Sequence, residues 1–584
     1  MSLFFTKFLY ILGPQKTNFY RKIIFYSSSS ILDLLVLSLL PFLIAIFSGS
    51  EVKNYFFFSE SFLREYGTIY YVGCLILIIT ILKAYINYLS IFKIVSFVSN
   101  IQRYNRDKIF SFYKDIFLND FISSKFEKFL NTTSYIVGVF SENILFKLIT
   151  IISEIIIILI ISIYLSFVNF YALLGLFIFF FTLLFIYFLL IKKFITSAGK
   201  LQSDSLEKLT EVINNVFKGL KEIKIFNLSN FFDKKFNKYN NEYTENFIHY
   251  QKLVFLPKYL LESLIIVFII LLFFSLSAFS GNPISTYFEL IGIFIFAGLR
   301  ITPLAYNIFS SLSQIYSSKY SLDTIYEEFK RIDGYKDKIK NKVDTRKINK
   351  IDKFHKLSLK NICFSYSKKK DDLILNNFNL TINKGECIGI KGDSGSGKTT
   401  FVNILLGLIY PDSGGILVNE NIDAFSSNIY DKMSYTPQDS FLINGSILEN
   451  IALGKSIENL ELEKSKIFNI LKTTRLDVSL NVNKENFMEL LSVRKVDTLS
   501  GGQAQRVAIC RNLYFNREIN IFDEFTSSLD IKTEDKIVEF FNSMKRTNTI
   551  IIISHRINAL KYCDRVFEVS NGGLNEIKKI EKLS

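Results

Sequence analysis

The chain changes character a little past its middle. Up to about Ser318, long apolar runs rich in Ile, Leu and Phe succeed one another; beyond it, short apolar stretches alternate with charged loops. The runs at Ile23 to Phe47, Thr68 to Phe92, Leu148 to Val168, Tyr171 to Ile191, Leu260 to Phe279 and Tyr287 to Phe309 each come close to the ~20 residues that a helix needs to cross a bilayer. The first is too long for a signal-peptide core and lacks a small-residue cleavage site, so it reads as a retained span. Six crossings put both ends on one side. The outward connections at Asn169-Phe170 and Gly281-Asn282-Pro283 are short and carry no basic residue. The inward ones, about Lys93 to Lys147 and Lys192 to Lys258, are long, charged and helical in pattern. They predict helices that continue past the membrane, with short docking helices near Phe126 to Thr132 and Asn227 to Phe232. The longest outer loop, Ser48 to Gly67, contains Tyr55-Phe56-Phe57-Phe58 and fits either a small helix in the headgroup region or an interfacial aromatic belt.

In the later part, the charged stretch from Glu327 to Lys356 reads as a mobile connector. Ile362 to Tyr366 alternates as a strand, and Cys387 to Ile390, Ile519 to Phe522 and Thr549 to Ser554 are further strand candidates between helical patterns. The predicted organisation is an all-α, six-helix membrane domain at 1–330, a linker at 331–356 and a cytosolic α/β nucleotide-binding domain at 357–584.

A formal charge of +15 raises the question of nucleic acid. Arg103, Arg106, Lys108, Lys192, Lys193 and Lys200, however, flank apolar spans on one side, which is the positive-inside bias of a membrane protein. No basic recognition helix or aromatic-basic module is present, so a nucleic-acid partner is not expected. Five scattered cysteines without C-x-x-C spacing and three distant histidines indicate neither a zinc site nor a disulfide framework.

The chemistry centres on Gly392-Asp393-Ser394-Gly395-Ser396-Gly397-Lys398-Thr399-Thr400, a complete phosphate-loop pattern between a strand and a helix. Glycines 392, 395 and 397 let successive backbone N–H groups face phosphate oxygens, and the following helix adds its positive end. Lys398 can reach the β/γ-phosphates and Thr399 can hold Mg²⁺. Further on, Asp523 and Glu524 end a strand. Asp523 suits Mg²⁺, and Glu524 can orient or deprotonate water. Tyr366 can stack on adenine. Gln438, Ser500-Gly501-Gly502-Gln503, Ser527-Ser528-Leu529-Asp530 and His555 are each weak alone, and their joint order is the signal.

In that order the sequence resembles the ATP-binding cassette family, over nearly the whole chain. The resemblance makes Tyr366 the adenine aromatic, Gly392 to Thr400 the Walker A loop, and Gln438 the Mg²⁺-sensing Q-loop residue. It makes Leu499 to Gln503 the signature motif, Asp523-Glu524 the Walker B end with its catalytic glutamate, Ser527 to Asp530 the D-loop, and His555 the switch histidine. It implies ATP and Mg²⁺ as ligands, and two cassettes that bury each ATP between one Walker A and the opposite signature motif. A homodimer is then the simplest assembly. A membrane domain fused ahead of the cassette resembles exporters, and Gly219 to Phe226 resembles the segment before their second coupling helix. Two positions depart from the pattern. Arg494 stands near an expected acidic residue before the signature motif, and Asn520 interrupts a strand that is usually apolar.

Ionisable residues within the spans are few: Asp33, Lys83, Glu154, Glu262 and Arg300, with Lys258 at a span entrance. Lys83, Lys258 and Arg300 either line a cavity for an anionic headgroup or pair with the three carboxylates. With Pro41 and the aromatic outer loop, they make the chain look most like bacterial flippases of lipid-linked oligosaccharides in the inner membrane. Exporters of other lipids, peptides or small amphiphiles are the alternative. A membrane ATP sensor or gated channel is the alternative of another class, against which an intact Glu524 and His555 favour turnover.

Overall fold

The computed structural model describes residues 2–48, 68–123, 126–279, 288–342, 349–366, 372–455, 457–526 and 528–577. The outer aromatic loop (49–67), the Gly281-Asn282-Pro283 turn and Ser527 lie outside them. Contacts divide the chain into two units, Met1–Lys114 with Phe126–Asp333, and Asp115–Lys125 with Gly334–Ser584.

The first unit is helical. In chain order it contains α1 (Ser2–Leu12), α2 (Lys16–Ser27), α3 (Ser30–Ser48) and α4 (Thr68–Asp115), after which the short α5 (Leu118–Ser123) belongs to the second unit. It resumes with α6 (Phe126–Asn131) and α7 (Val137–Phe140), between and after which the backbone opens into π turns. Then follow α8 (Lys147–Val168), α9 (Phe170–Lys218), α10 (Leu220–Ile225), α11 (Ser229–Phe279), α12 (Phe288–Ser317) and α13 (Lys319–Lys342), whose residues from Gly334 on belong to the second unit. Helices α4, α9 and α11 run for 48, 49 and 51 residues. At 1.5 Å per residue each is roughly 72–77 Å long, more than twice the ~30 Å hydrocarbon core. Among the described residues five helices are long and apolar enough to cross a membrane, and the expected span Tyr171 to Ile191 is helical within α9.

The run Ile23 to Phe47 is interrupted by a two-residue turn at Ser28-Ser29, between α2 and α3, with Ser28 still in helical geometry. Ser27, Ser28, Ser29 and Ser30 each turn the hydroxyl back onto the carbonyl three residues earlier. Serine hydroxyls compete with backbone donors in this way, which hydropathy alone does not register. Leu37, Ile161, Leu165, Leu261, Phe294 and Ala297 form a buried core shared by α3, α8, α11 and α12. Helix α4 instead exposes Tyr70, Leu77, Ile78 and Ile81, as a helix facing hydrocarbon does. The expected mobile connector is helical for its first half, since Glu327 to Lys342 lie in α13.

The second unit holds two sheets. A four-stranded antiparallel sheet has the order β2-β1-β4-β5, from β1 (Lys356–Phe364), β2 (Leu375–Asn383), β4 (Ser413–Val418) and β5 (Ile422–Asp423). A six-stranded sheet runs β10-β9-β3-β8-β7-β6, from β3 (Cys387–Lys391), β6 (Met433–Thr436), β7 (Ile519–Asp523), β8 (Thr549–Ile553), β9 (Arg565–Ser570) and β10 (Gly573–Ile577). Strands β9, β3, β8, β7 and β6 are parallel neighbours. Both faces of a parallel sheet are covered, so β7 and β8 are buried at every position; β8 is apolar after Thr549, while β7 carries the buried polar residues Asn520 and Asp523. Helix α14 (Lys398–Leu405) follows β3. A helical layer of α15 (Ile447–Ile451), α16 (Ile457–Leu462), α17 (Lys464–Thr473), α18 (Leu476–Leu480) and α19 (Phe487–Val493) leads into α20 (Gly501–Phe515). Helix α21 (Ile531–Met544) fills the connection from β7 to β8.

The docking helix of the first inward connection is α5, earlier in the chain than the expected Phe126 to Thr132. Leu118 N–H donates to Leu408 O at 2.7 Å, Phe117 N–H to Tyr335 Oη at 2.9 Å, and the Phe117 ring meets Tyr410 and Phe425. Phe126 to Thr132 belong to the first unit, where Phe129 packs on Tyr113. The second expected segment is the turn between α10 and the start of α11, with Phe226 and Phe231 exposed.

Candidate nucleotide site

Apart from Tyr366, which follows the antiparallel strand β1, the chemical residues of the second unit sit at the ends of parallel strands or the starts of helices. The phosphate loop leaves β3 through Gly392, Gly395 and Gly397 at φ of +155°, +81° and +105°. A Cβ on Gly392 would lie 2.6 Å from Val569 O and 2.8 Å from Ser396 Oγ, so only glycine fits. Asp393, Ser394, Gly395 and Thr399 are exposed along the loop, while Gly397 and Thr400 are buried. Lys398 is buried, its ammonium on Gly392 O at 2.6 Å and Asp393 O at 2.8 Å. The Ser396 hydroxyl is buried without a partner. Positive-φ glycines, an orphan hydroxyl and an ammonium inside the loop together fit a phosphate.

Strand β7 brings up the carboxylates. Asp523 is buried, and burial raises its carboxyl above the usual range, opposed by the Tyr435 hydroxyl, which donates to Oδ2 at 3.1 Å. Glu524 is one residue past the strand at φ +44°, its N–H on Ile553 O at 2.9 Å. A left-handed glutamate is a strained position of the kind that gathers at working sites. Its Oε2 accepts from Gln438 Nε2 at 2.7 Å, and its Oε1 lies 3.3 Å from His555 Nε2. The fold therefore brings Gln438, Glu524 and His555 onto one carboxylate, next to Asp523. For Mg²⁺ the candidate ligands are Thr399, Gln438 and Asp523. Among the described residues no cluster of three His, Cys, Asp or Glu forms a protein-only metal cage. One carboxylate plus phosphate oxygens is the usual way Mg²⁺ is held, so this donor set fits it.

Tyr366 is half-exposed at the end of β1, edge-on to Phe364 at 4.9 Å. Ser500 caps α20 in a capping box with Gln503. Gln503 also donates to Ser479 O, and a Cβ on Gly502 would lie 2.7 Å from Ser528 O. Asp530 caps α21 and accepts from Arg506 at 2.5 Å; the hydrogen bond from Thr533 lowers its carboxyl below the usual range. Among the described residues no hydrogen bond joins Ser500 to Gln503 with the phosphate loop of the same chain.

Sequence reasoning missed Gln505 and Tyr435. Gln505 is buried in α20, donating to Glu524 O at 3.3 Å and accepting from Ser528 N at 3.1 Å, so it fixes the backbone on both sides of the carboxylate turn. A polar residue on the buried face of α20 was the available signal. Of the two departures, Arg494 turns inward to Leu480 O at the end of α18, and Asn520 is buried but hydrogen-bonded to Ser434 and to Arg517 O.

In the first unit Asp33 is buried and takes two cations. Lys83 is on its Oδ1, and Arg300 Nη2 is 2.8 Å from its Oδ2. Lys258 is not with them; it is exposed on α11, 5.8 Å from the Tyr259 ring. Glu154 is held by Asn307 Nδ2 at 3.1 Å, with no ion pair among the described residues, and Glu262 is exposed.

A phosphate loop, paired carboxylates and a switch histidine on a parallel sheet define a P-loop ATP-binding domain, here in one chain with membrane-spanning helices. The family models described as "ABC transporter transmembrane region" and "ABC transporter" match residues 29–297 and 375–527. The chain belongs to the ABC transporter family, as a multi-pass membrane protein with a cytosolic ATP-binding domain. It is 33% identical over 226 residues to the energy-coupling factor transporter ATP-binding protein EcfA1 of Mesomycoplasma hyopneumoniae, covering 37% of this chain and 79% of that one. It is 35% identical over 229 residues to the alpha-hemolysin translocation ATP-binding protein HlyB of Escherichia coli O157:H7 (38% of this chain, 31% of that one). The leukotoxin export ATP-binding protein LtxB of Aggregatibacter actinomycetemcomitans is 34% identical over 229 residues (39% and 32%). The matches thus span about a third of these two toxin-translocation relatives. In fold the chain is similar to a bacterial Atm1-family ABC exporter with ATP bound, at a TM-score of 0.68 and 18% identity over 97% of this chain and 95% of that one.

Proposed function

We propose that the chain is one half of an ATP-hydrolysing exporter of the bacterial inner membrane. It works as a homodimer in which each ATP lies between the phosphate loop of one copy and Ser500 to Gln503 of the other. The observation that carries this reading is the Glu524 carboxylate held between Gln438 and His555 beside Asp523. Glu524 takes the proton of an attacking water, His555 holds that carboxylate and the transferred phosphoryl in line, and Lys398 neutralises β/γ-phosphate charge. Thr399, Asp523 and Gln438 would hold Mg²⁺, which would supply charge stabilisation to the phosphates. Tyr366 stacks on adenine. Asp530, across the interface, carries the state of one site to the other through its own Arg506.

For the cargo we propose an amphiphile with an anionic headgroup, in particular a lipid-linked oligosaccharide. Two cations on one carboxylate at Asp33 leave one positive charge inside the helical unit. Lys258, apart from them, would act at a separate point of the path. A peptide or protein cargo is the second reading, favoured by the names of the toxin-translocating relatives.

The test is reconstitution in proteoliposomes with fluorescent lipid-linked glycans, phospholipids and peptides, alongside Glu524→Gln. ATP-dependent movement of the glycolipid between leaflets, lost in Glu524→Gln, is the expected result. Movement of peptides alone overturns the cargo, ATP-gated ion current without translocation overturns the exporter, and full-rate hydrolysis by a strictly monomeric protein overturns the dimer.

A further inference from the structure

Beneath the catalytic carboxylates lies a layer of buried polar side chains that the hydrolytic reading does not use. Among the described residues, strand β6 is the edge of its sheet, four residues long and paired with β7 alone. Its side chains alternate between two faces. Tyr435 points to Asp523, and Ser434 and Thr436 point the other way, into the interior under α20. There the Ser434 hydroxyl lies 2.8 Å from both Asn512 Oδ1 and Asn520 Oδ1, and Asn512 Nδ2 donates to Thr436 Oγ1 at 3.1 Å. Thr436, Asn512 and Asn520 are all but completely buried. Asn520 stands opposite Ser434 in the ladder, its amide fixed by Arg517 O at 2.8 Å.

Polar groups at such depth cost free energy unless paired, so what this layer does must follow from what it joins. It joins α20, whose first turn is Ser500 to Gln503, to the strand that ends two residues before Gln438. The residue between is Pro437, whose ring fixes its backbone φ and removes slack. An edge strand with a single ladder has few other lateral restraints. Ser434 also has one hydroxyl proton for two oxygens, so one oxygen is always short of a donor and the layer can re-form in more than one arrangement.

We infer that Asn512 is a positioning residue for ATP hydrolysis: through Ser434 and Thr436 it ties α20 to β6, and so keeps the Gln438 amide on the Glu524 carboxylate. This rests on the reading of Glu524 and Gln438 given above. Asn512 touches neither reacting atom, so its loss slows turnover without weakening nucleotide binding.

The experiment uses the full-length protein in nanodiscs, measuring ATPase kcat and KM, fluorescent-nucleotide affinity and melting temperature. Asn512→Leu, close in shape but without hydrogen bonds, lowers kcat ~10-fold with KM and nucleotide affinity within about twofold. Thr436→Val does the same to a lesser degree, Thr436→Ser retains wild-type kcat, and this pair carries the test if Asn512→Leu does not fold. Because Asn512 acts through Gln438, Gln438→Ala masks it, and the double variant turns over at the Gln438→Ala rate. Wild-type kcat in Asn512→Leu or Thr436→Val, equal losses of binding and turnover, or full additivity with Gln438→Ala overturns the inference. Wild-type turnover in Gln438→Ala itself overturns the underlying reading of Gln438 instead.

Discussion

Gln438 Nε2 donates to Glu524 Oε2 at 2.7 Å, so the residue that ends the edge-strand turn holds the carboxylate that ends the neighbouring strand. His555 Nε2 lies 3.3 Å from the other oxygen. A carboxylate flanked on both oxygens is aimed before water arrives, and aiming is most of what a hydrolytic base requires. Gln438→Ala and His555→Ala are each expected to lower kcat by about 10²-fold, and Glu524→Gln to remove steady-state turnover. Single-turnover phosphate release separates chemistry from product release, and the two alanine variants should combine to much less than the product of their effects. Independent, multiplying losses would mean that Gln438 and His555 do not act on one group.

Tyr435 gives a pH prediction. Burial pushes the Asp523 carboxyl up, and the Tyr435 hydroxyl pulls it back by donating to the ionised form. Tyr435→Phe removes that donor and leaves the burial, so Asp523 ionises at higher pH. If Asp523 must be ionised to hold Mg²⁺, the acid limb of kcat/KM moves to higher pH by about one unit, since a hydrogen bond to a charged group contributes about 1.5 kcal/mol or more. The sign for folding is opposite in sense to a salt-bridged carboxylate. A carboxyl raised by burial favours the fold while protonated, and that contribution is lost as pH rises through its folded value. An acid limb that stays in place in Tyr435→Phe would show that Asp523 does not control the profile.

Gly392→Ala tests the loop geometry directly. The new methyl would sit 2.6 Å from the Val569 carbonyl, which is backbone and cannot swing away, at a φ of +155°. The strand should hold and the loop should distort, so nucleotide affinity is expected to fall by at least about tenfold while the melting temperature drops only a few degrees. Fluorescent-nucleotide titration and thermal denaturation of one preparation decide it. An unchanged affinity would mean that phosphate is bound elsewhere.

How much of this could be read from the chain depended on how local each cause was. The phosphate loop is contiguous, and glycines at fixed spacing announce a backbone that only they can adopt, so Gly392 to Thr400 were legible at once. Gln438, Glu524 and His555 were legible as an order of motifs, but their convergence on one carboxylate is a property of strand order, β8-β7-β6, which no single segment carries. The pattern favours Phe126 to Thr132 over Leu118–Ser123 because it carries two aromatic and two charged residues against one of each, and neither stretch contains Gly or Pro. What distinguishes them is a partner, Leu408, far along the chain. Asn520 reads as a flaw in the strand on its own, and only the ladder, which sets Ser434 opposite it, supplies its hydrogen-bond partner.

The membrane helices provide the remaining prediction. Asp33 on α3 holds Lys83 of α4 and Arg300 of α12, so one carboxylate links three helices. Breaking a buried pair leaves uncompensated charge and costs about 3–5 kcal/mol, and hydrocarbon offers no water to relieve it. Asp33→Asn leaves two cations facing each other and should lower the melting temperature in detergent by several degrees more than Lys83→Gln or Arg300→Gln, each of which leaves a paired carboxylate. Restoring balance with Lys83→Gln and Arg300→Gln in the Asp33→Asn background should recover most of that loss, since three neutral polar groups replace a charge excess. If the cations served only to hold helices together, this triple variant would also export like the wild type. Under the anionic-cargo reading it is folded and stable, yet fails to move a pyrophosphate-linked lipid in proteoliposomes.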